Sequence, residues 1–263
     1  MNTNWNTKEL IEEIRNNGFC IIKDLFSEQD LDKIKNSLLE TFHYIKPDDE
    51  QDLQKKYYQI KKYNPKLKGN WYDIAHYNID LRQFFYTPAL VDLVKEYYNT
   101  KVLFSGRPCI HVHDDANKFL LEPHQETAMM AADSILLWSP LYDTNKENGG
   151  LAVYKDSHKE GYFEHTLQHP TLTEEKCWTD DYTHVDPSVS KRFEKIDLEI
   201  KAGTAILAQS SVLHCGYPTQ TKGSVRIVLA ERYNPLKKLP FLRSVNASRT
   251  IPYCGIDYNK IPD

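Results

Sequence analysis

The sequence predicts a mainly β fold, a β-sandwich or jelly roll buttressed by helices. Three observations carry that expectation. From Lys101 onward short apolar segments recur: "KVLFSGRPCIHVH", "KFLLE", "SILLWSPLY", "LAVY", "KIDLEI", "TAILA" and "VRIVLAERY". Before them, apolar residues fall at helical rather than alternating spacing. No internal repeat or linker divides the 263 residues, so many short strands after leading helices read as one domain. The expected layout is buttressing helices over 1–100, a β core over 101–235 and a tail over 236–263. Within the core, residues 155–192 form a long insertion, partly helical, placed to act as a lid.

Each element has a local reason. Thr7 to Asn17 places Leu10, Ile11 and Ile14 on one face, and Gly18 follows as a stop. "FCII" is a short strand. Ser27 is suited to cap the next helix, with Asp30 at the capping-box position and Phe26 and Leu31 spaced as a hydrophobic staple. That helix continues through Ile34, Leu38 and Phe42. Pro88 to Tyr98 reads as another. The polar stretch "QKKYYQIKKYNPKLKG" carries six lysines and no acid. It is either a basic surface that steers an anionic substrate or a solvated helix face.

Composition limits the function. With 40% hydrophobic and 27% charged residues the chain reads as globular, and a net charge of −4 argues against a general nucleic-acid binder. The five cysteines, Cys20, Cys109, Cys177, Cys215 and Cys254, form no C-x-x-C pair, so reduced thiols in a cytoplasmic protein are expected. Neither an apolar signal-type segment at the start nor a run of about 18 apolar residues is present, so no membrane partner is expected.

The chemistry lies in histidine–acid pairs. On a strand, residues i and i+2 face the same side, so His-x-Asp/Glu can aim an imidazole and a carboxylate at one ion. With a distant second histidine this makes the two-His-one-carboxylate triad of non-haem Fe(II) oxygenases. Four pairs occur: His113–Asp115, His124–Glu126, His158–Glu160 and His184–Asp186. Downstream, His214 ends an apolar segment, and Arg226 sits in the apolar "SVRIVLA", where burial demands a partner. A planar guanidinium suits a dicarboxylate such as 2-oxoglutarate. A structural ion pair or an exposed strand residue is the competing reading.

"GFCIIKDLFS", "PHQE", "SILLWSPLYDTNKENGGLAVYKDSHKEG" and "LHCGYPTQTKGSVRIVLAERY" occur in that order. Together, from Gly18 to Tyr233, they resemble the phytanoyl-CoA dioxygenase-like family of Fe(II)/2-oxoglutarate oxygenases. The resemblance implies a double-stranded β-helix, the jelly-roll form of cupin-like folds. It selects His124–Glu126 with His214 as iron ligands, Arg226 as the anchor of the far 2-oxoglutarate carboxylate, and Gln125 and Trp138 as further cosubstrate contacts. It also implies the cosubstrates, 2-oxoglutarate and O2, with oxidative decarboxylation to succinate, C–H abstraction by a ferryl species and hydroxyl rebound. Two departures stand out. The acid is Glu126 where the family usually has Asp. Gly216 also stands where relatives carry a cosubstrate-binding hydroxyl, for which Thr219 or Ser224 are substitutes. Halogenases of this fold leave the acid position small, so Glu126 favours hydroxylation or a related oxidation.

Arg107, His111 and His113 alternate along "GRPCIHVH" and are candidates for facing substrate. The leading expectation is a dioxygenase hydroxylating a small molecule, with an anionic one open. The alternatives are a non-catalytic cupin-like metal or ligand binder and an oxygenase acting on a protein side chain.

Overall fold

The computed structural model describes residues 4–64, 78–105, 108–115, 121–126, 133–168 and 182–235. Its helices are α1 (Thr7–Asn17), α2 (Glu28–Ile45), α3 (Leu53–Tyr63), α4 (Ile79–Phe85), α5 (Pro88–Tyr98) and the short α6 (Pro187–Ser190). Its strands are β1 (Phe19–Ile22), β2 (Phe104–Ser105), β3 (Cys109–Asp114), β4 (Leu121–His124), β5 (Ile135–Pro140), β6 (Leu151–Tyr154), β7 (His165–Gln168), β8 (Tyr182–Val185), β9 (Lys195–Leu198), β10 (Ala205–Gln209), β11 (His214–Gly216) and β12 (Val225–Asn234).

Two antiparallel sheets form the core. The larger runs β1-β10-β5-β12-β2, with β3 also paired to β12; the smaller runs β4-β11-β6-β9. From β3 to β6 the strands alternate between the sheets, and β9 to β12 alternate back. That crossing pattern is the double-stranded β-helix.

Burial explains why β5 and β12 read as unbroken apolar runs. Every residue of both is buried, because each lies inside the larger sheet and is covered on two faces. On the outer face Ile135, Leu137, Ile227 and Leu229 meet helix residues such as Ile34, Leu38, Phe42 and Phe85. On the inner face Trp138, Ile206 and Val228 meet Leu151, Val153 and Leu198 of the smaller sheet. Burying such side chains stabilises by about 1.5–3 kcal/mol each, so the helices are structural partners of the barrel.

The expected caps are present. Gly18 takes φ 84° and its N–H bonds Ile14 O, ending α1 where a side chain would be strained. Ser27 N donates to Asp30 (3.1 Å) and Asp30 N to Ser27 Oγ (3.2 Å), closing the capping box of α2.

Over its described part the lysine–tyrosine stretch has one exposed face, with Lys55, Lys62 and Tyr63, and one buried face. It forms α3, capped by Asp52, and docks on the barrel. Lys56 is fully buried between Asp48 (2.5 Å) and Lys46 O (2.6 Å). Tyr57 Oη donates to the buried Asp114 (2.5 Å), as does Lys61 Nζ (3.0 Å). Tyr57 and Lys61 fasten the helix to the end of β3, and Lys56 ties it to the segment after α2.

The described part of the insertion also differs from the expectation. It holds a hairpin, β7–β8, besides a 3-10 turn over Ser157–Glu160 and α6. Val185 packs with Ala152, Leu213 and Cys215 on the outer face of the smaller sheet.

Candidate metal centre

Strand pairing brings the distant histidine to the pair. In the smaller sheet His214 of β11 lies directly opposite His124 of β4, and opposite Val153 of β6 on its other side. Residues facing each other across a ladder share a face, and Val153 faces the barrel interior. The two imidazoles sit 4.4 Å apart, centroid to centroid. Glu126, just beyond β4, is pinned by its N–H on Ser210 O (3.1 Å). One possible ligand atom each from His124, Glu126 and His214 lie within 4.8 Å of one another.

The histidines are oriented by the chain itself. Nδ1 of His124 lies 2.8 Å from Glu122 O, and Nδ1 of His214 3.0 Å from Val212 O. A carbonyl only accepts, so both Nδ1 carry a proton, and Nε2 is the nitrogen left to face the site. This is how metal-binding histidines are commonly held. His214 Nε2 is 3.7 Å from Glu126 Oε1. Burial and the neighbouring His214 depress His124 to about 4, which keeps it neutral. Burial alone would raise the Glu126 carboxyl; Arg232, followed by the histidines, overrides it and holds it well below the usual range.

The other pairs do not converge. Asp115 accepts from Tyr58 Oη (2.6 Å) and Gly223 N (2.9 Å), away from His113. Asp186 caps α6 through Ser188 N (2.8 Å). Glu160 pairs with Arg192. Ser157, beside His158, fixes the turn after β6: its Oγ donates to Tyr154 O (2.7 Å) and accepts from Leu213 N (2.9 Å), next to His214.

Arg226 and Arg232 sit on the same inward face of β12 as Val228 and Ala230. Arg226 is 4% exposed, and its Nη1 donates to Gly149 O (2.6 Å). Gly149 has φ 92°, and a Cβ there would come within 3.1 Å of both Arg226 Cδ and Thr219 Oγ1. That glycine leaves a small cradle beside the arginine. Thr219 is buried, and its Oγ1 has no hydrogen-bond partner among the described residues.

Gln125 points away from its neighbours. Its Nε2 donates to Gly161 O (2.8 Å) and Ser211 O (2.6 Å), and its Oε1 accepts from Phe163 N (2.8 Å). Its backbone N–H donates to His165 Nε2 (3.0 Å). The amide joins the insertion to the segment before His214 instead of facing the cosubstrate side. Trp138 is on the inner face, packed among apolar residues and opposite Ala230.

His111 and His113 lie opposite Val228 and Arg226, so both belong to the inward face of β3. Burial, aided by Arg232, pushes His111 down to about 3, and its Nε2 is 3.2 Å from Cys109 Sγ. Arg107 lies outside the described residues. A separate cavity of about 250 Å³, lined by Arg15, Tyr97, Tyr98, Tyr162 and Gln209 among others, contains none of the expected site residues.

Arg232 was missed from sequence. In "LAERY" it reads as half of a Glu-Arg pair, yet Glu231 turns outward to Tyr86 and Ser105 while Arg232 turns inward to Glu126. The signal was alternation: Arg226 and Arg232 are both even positions of one strand.

Residues 14–228 match the family described as Phytanoyl-CoA dioxygenase (PhyH). The chain belongs to that family. No curated protein matches it in sequence. Among solved structures it is similar in fold to the non-heme alpha ketoglutarate dependent carbocyclase SnoK from nogalamycin biosynthesis, with TM-score 0.62 and 14% identity over 98% of this chain and 96% of that one. It is also similar to the epimerase SnoN in complex with Fe3+, alpha ketoglutarate and nogalamycin RO (TM-score 0.58, 12% identity, 86% and 82% covered). AviO1 from Streptomyces viridochromogenes Tue57 shares the fold (TM-score 0.60, 13% identity, 90% and 98% covered). Among the described residues of this family member, no helix is long and apolar enough to cross a membrane.

Proposed function

We propose that this member of the family is an Fe(II)- and 2-oxoglutarate-dependent dioxygenase that hydroxylates a small molecule. The observation that carries the reading is the convergence of one possible ligand atom each from His124, Glu126 and His214 within 4.8 Å of one another, with His214 Nε2 3.7 Å from Glu126 Oε1. Two imidazoles and one carboxylate on one face are the donor set of non-haem Fe(II) oxygenases. When bound, Fe(II) with 2-oxoglutarate and O2 supplies a C–H oxidation coupled to decarboxylation of 2-oxoglutarate to succinate.

The chain's own residues do the rest. His124, Glu126 and His214 would hold the metal. Arg226 and Thr219, with the space left by Gly149, would receive the far carboxylate of 2-oxoglutarate. The Thr219 hydroxyl, without a partner among the described residues, is the polar atom such a carboxylate would satisfy. Trp138 gives that region an apolar wall. His111 and His113, held on β3, face the substrate side. With Lys56 and Lys61 engaged in docking α3, the basic stretch gives little support to an anionic substrate.

The test is anaerobic addition of Fe(II) and 2-oxoglutarate, read as a weak visible charge-transfer band, followed by a succinate assay over a substrate panel. A band lost in Glu126→Ala, with a product that gains one oxygen, supports the reading. Metal uptake without the band favours a binding protein. Succinate with a product that only loses two hydrogens overturns hydroxylation and keeps the oxidative class.

A further inference from the structure

The unusual Glu126 has a partner that explains its length. Arg232 is 2% exposed, and two of its nitrogens reach the same carboxylate oxygen: Nε at 3.1 Å and Nη2 at 3.0 Å from Glu126 Oε2. Its third nitrogen, Nη1, is 3.2 Å from Cys109 Sγ. The arginine is therefore held on both sides, and it springs from a strand paired to β5 at Leu136. Only Oε1 of Glu126 is left facing His214.

We infer that Arg232 is a positioning residue for the metal ligand, and that Glu126 and Arg232 form one unit. This rests on the metal-site reading above. Arg232 holds Oε2, so the carboxylate offers the metal a single oxygen, Oε1, in a fixed direction. The backbone of Glu126 is fixed at its other end by Ser210 O. Between those two fixed points the side chain must reach both the guanidinium and the metal. An aspartate is one methylene shorter and serves one of them at the expense of the other. Charge agrees with geometry. A buried guanidinium needs an anion, and Glu126 is the carboxylate its side chain contacts.

The test uses the purified full chain and Co(II) alone, with neither 2-oxoglutarate nor substrate. Co(II) affinity and the visible d–d spectrum are read for the wild type, Arg232→Met, Arg232→Lys, Glu126→Asp and Glu126→Asp/Arg232→Met. Loss of such an outer contact typically weakens metal binding about 10- to 100-fold. Arg232→Met is expected to weaken binding by that range and to alter the spectrum, as the carboxylate turns or becomes bidentate. Glu126→Asp should weaken it comparably. The double variant should be little worse than the weaker single, since the tether that penalises Asp is gone. Should Arg232→Met fail to fold, Arg232→Lys keeps the charge with one contact, and an intermediate affinity with an altered spectrum supports the inference. A folded Arg232 variant with wild-type affinity and spectrum overturns it, as do additive losses in the double variant. Wild-type protein that takes up no Co(II) sensitive to His124→Ala would sink the metal site itself, a different failure.

Discussion

Gln125→Leu isolates the bracing role of the residue between two metal ligands. The side chain is 1% exposed, so the near-isosteric leucine fills the space without meeting water. It removes the partners of Gly161 O, Ser211 O and Phe163 N. A buried backbone group left unsatisfied costs about 1–3 kcal/mol. Gly161, Phe163 and Ser211 are only half-buried, so part of that loss is recovered by water. We expect a net loss of about 3 kcal/mol, from about 1 kcal/mol for each group. For a domain of this size that lowers Tm by about 6–12 °C. Urea denaturation gives the energy, and amide exchange at residues 161–165 should quicken ahead of the β12 core. Gln125→Glu is the control. It puts an acceptor against two carbonyls, which raises the new carboxyl's pKa in the folded state. Its stability is full below about 4.3, the ordinary glutamate value, and falls as pH rises. A Gln125→Leu loss under about 1 kcal/mol, with unchanged exchange, would refute the bracing role.

Three other outcomes follow from the same geometry. Thr219→Val should raise the KM for 2-oxoglutarate about 10-fold, the equivalent of one hydrogen bond to a charged group, with Co(II) affinity unchanged; steady-state kinetics and a metal titration check it. Asp114→Ala strips Tyr57 and the half-buried Lys61 of their buried partner and should cost about 3–5 kcal/mol by chemical denaturation. Burial depresses His111 to about 3 and His124 to about 4, and lowers His158 and His165 as well. The folded metal-free protein then binds fewer protons than the unfolded chain, so its stability is full above about 6.5 and is lost as pH falls toward 4. Thermal melts from pH 7.5 to 4.5 should show that slope, and His111→Gln should flatten it.

Much of the fold was legible because its signals are local. The Ser27–Asp30 box, the Gly18 stop and the apolar runs of β5, β6 and β12 each depend on a few neighbouring residues. What escaped depends on distant partners. Helix α3 looked like a solvated basic face because its anchors, Asp48 and Asp114, are supplied from outside the helix. Strand β11 has only three residues, and its two ladder partners are remote in sequence. The hairpin β7–β8 lies in a stretch without alternation. In the candidate site, the ligand motif and Arg226 stood out through their motif context. The roles of Gln125 and Arg232 depend on which way a side chain turns. Strand alternation could have given that for Arg232, whereas nothing near Gln125 announces three bonds to other segments.

The cross-ladder position of His124 and His214 has a kinetic consequence. The two rings become neighbours only when β4 pairs with β11, a contact between segments far apart along the chain. Such closures come at an entropic cost and slow folding. A nascent or partly folded chain therefore lacks a coordinating pocket. Metal uptake should report completion of the barrel: in refolding monitored by Co(II) absorbance, colour should appear with the last phase, after helical ellipticity has returned.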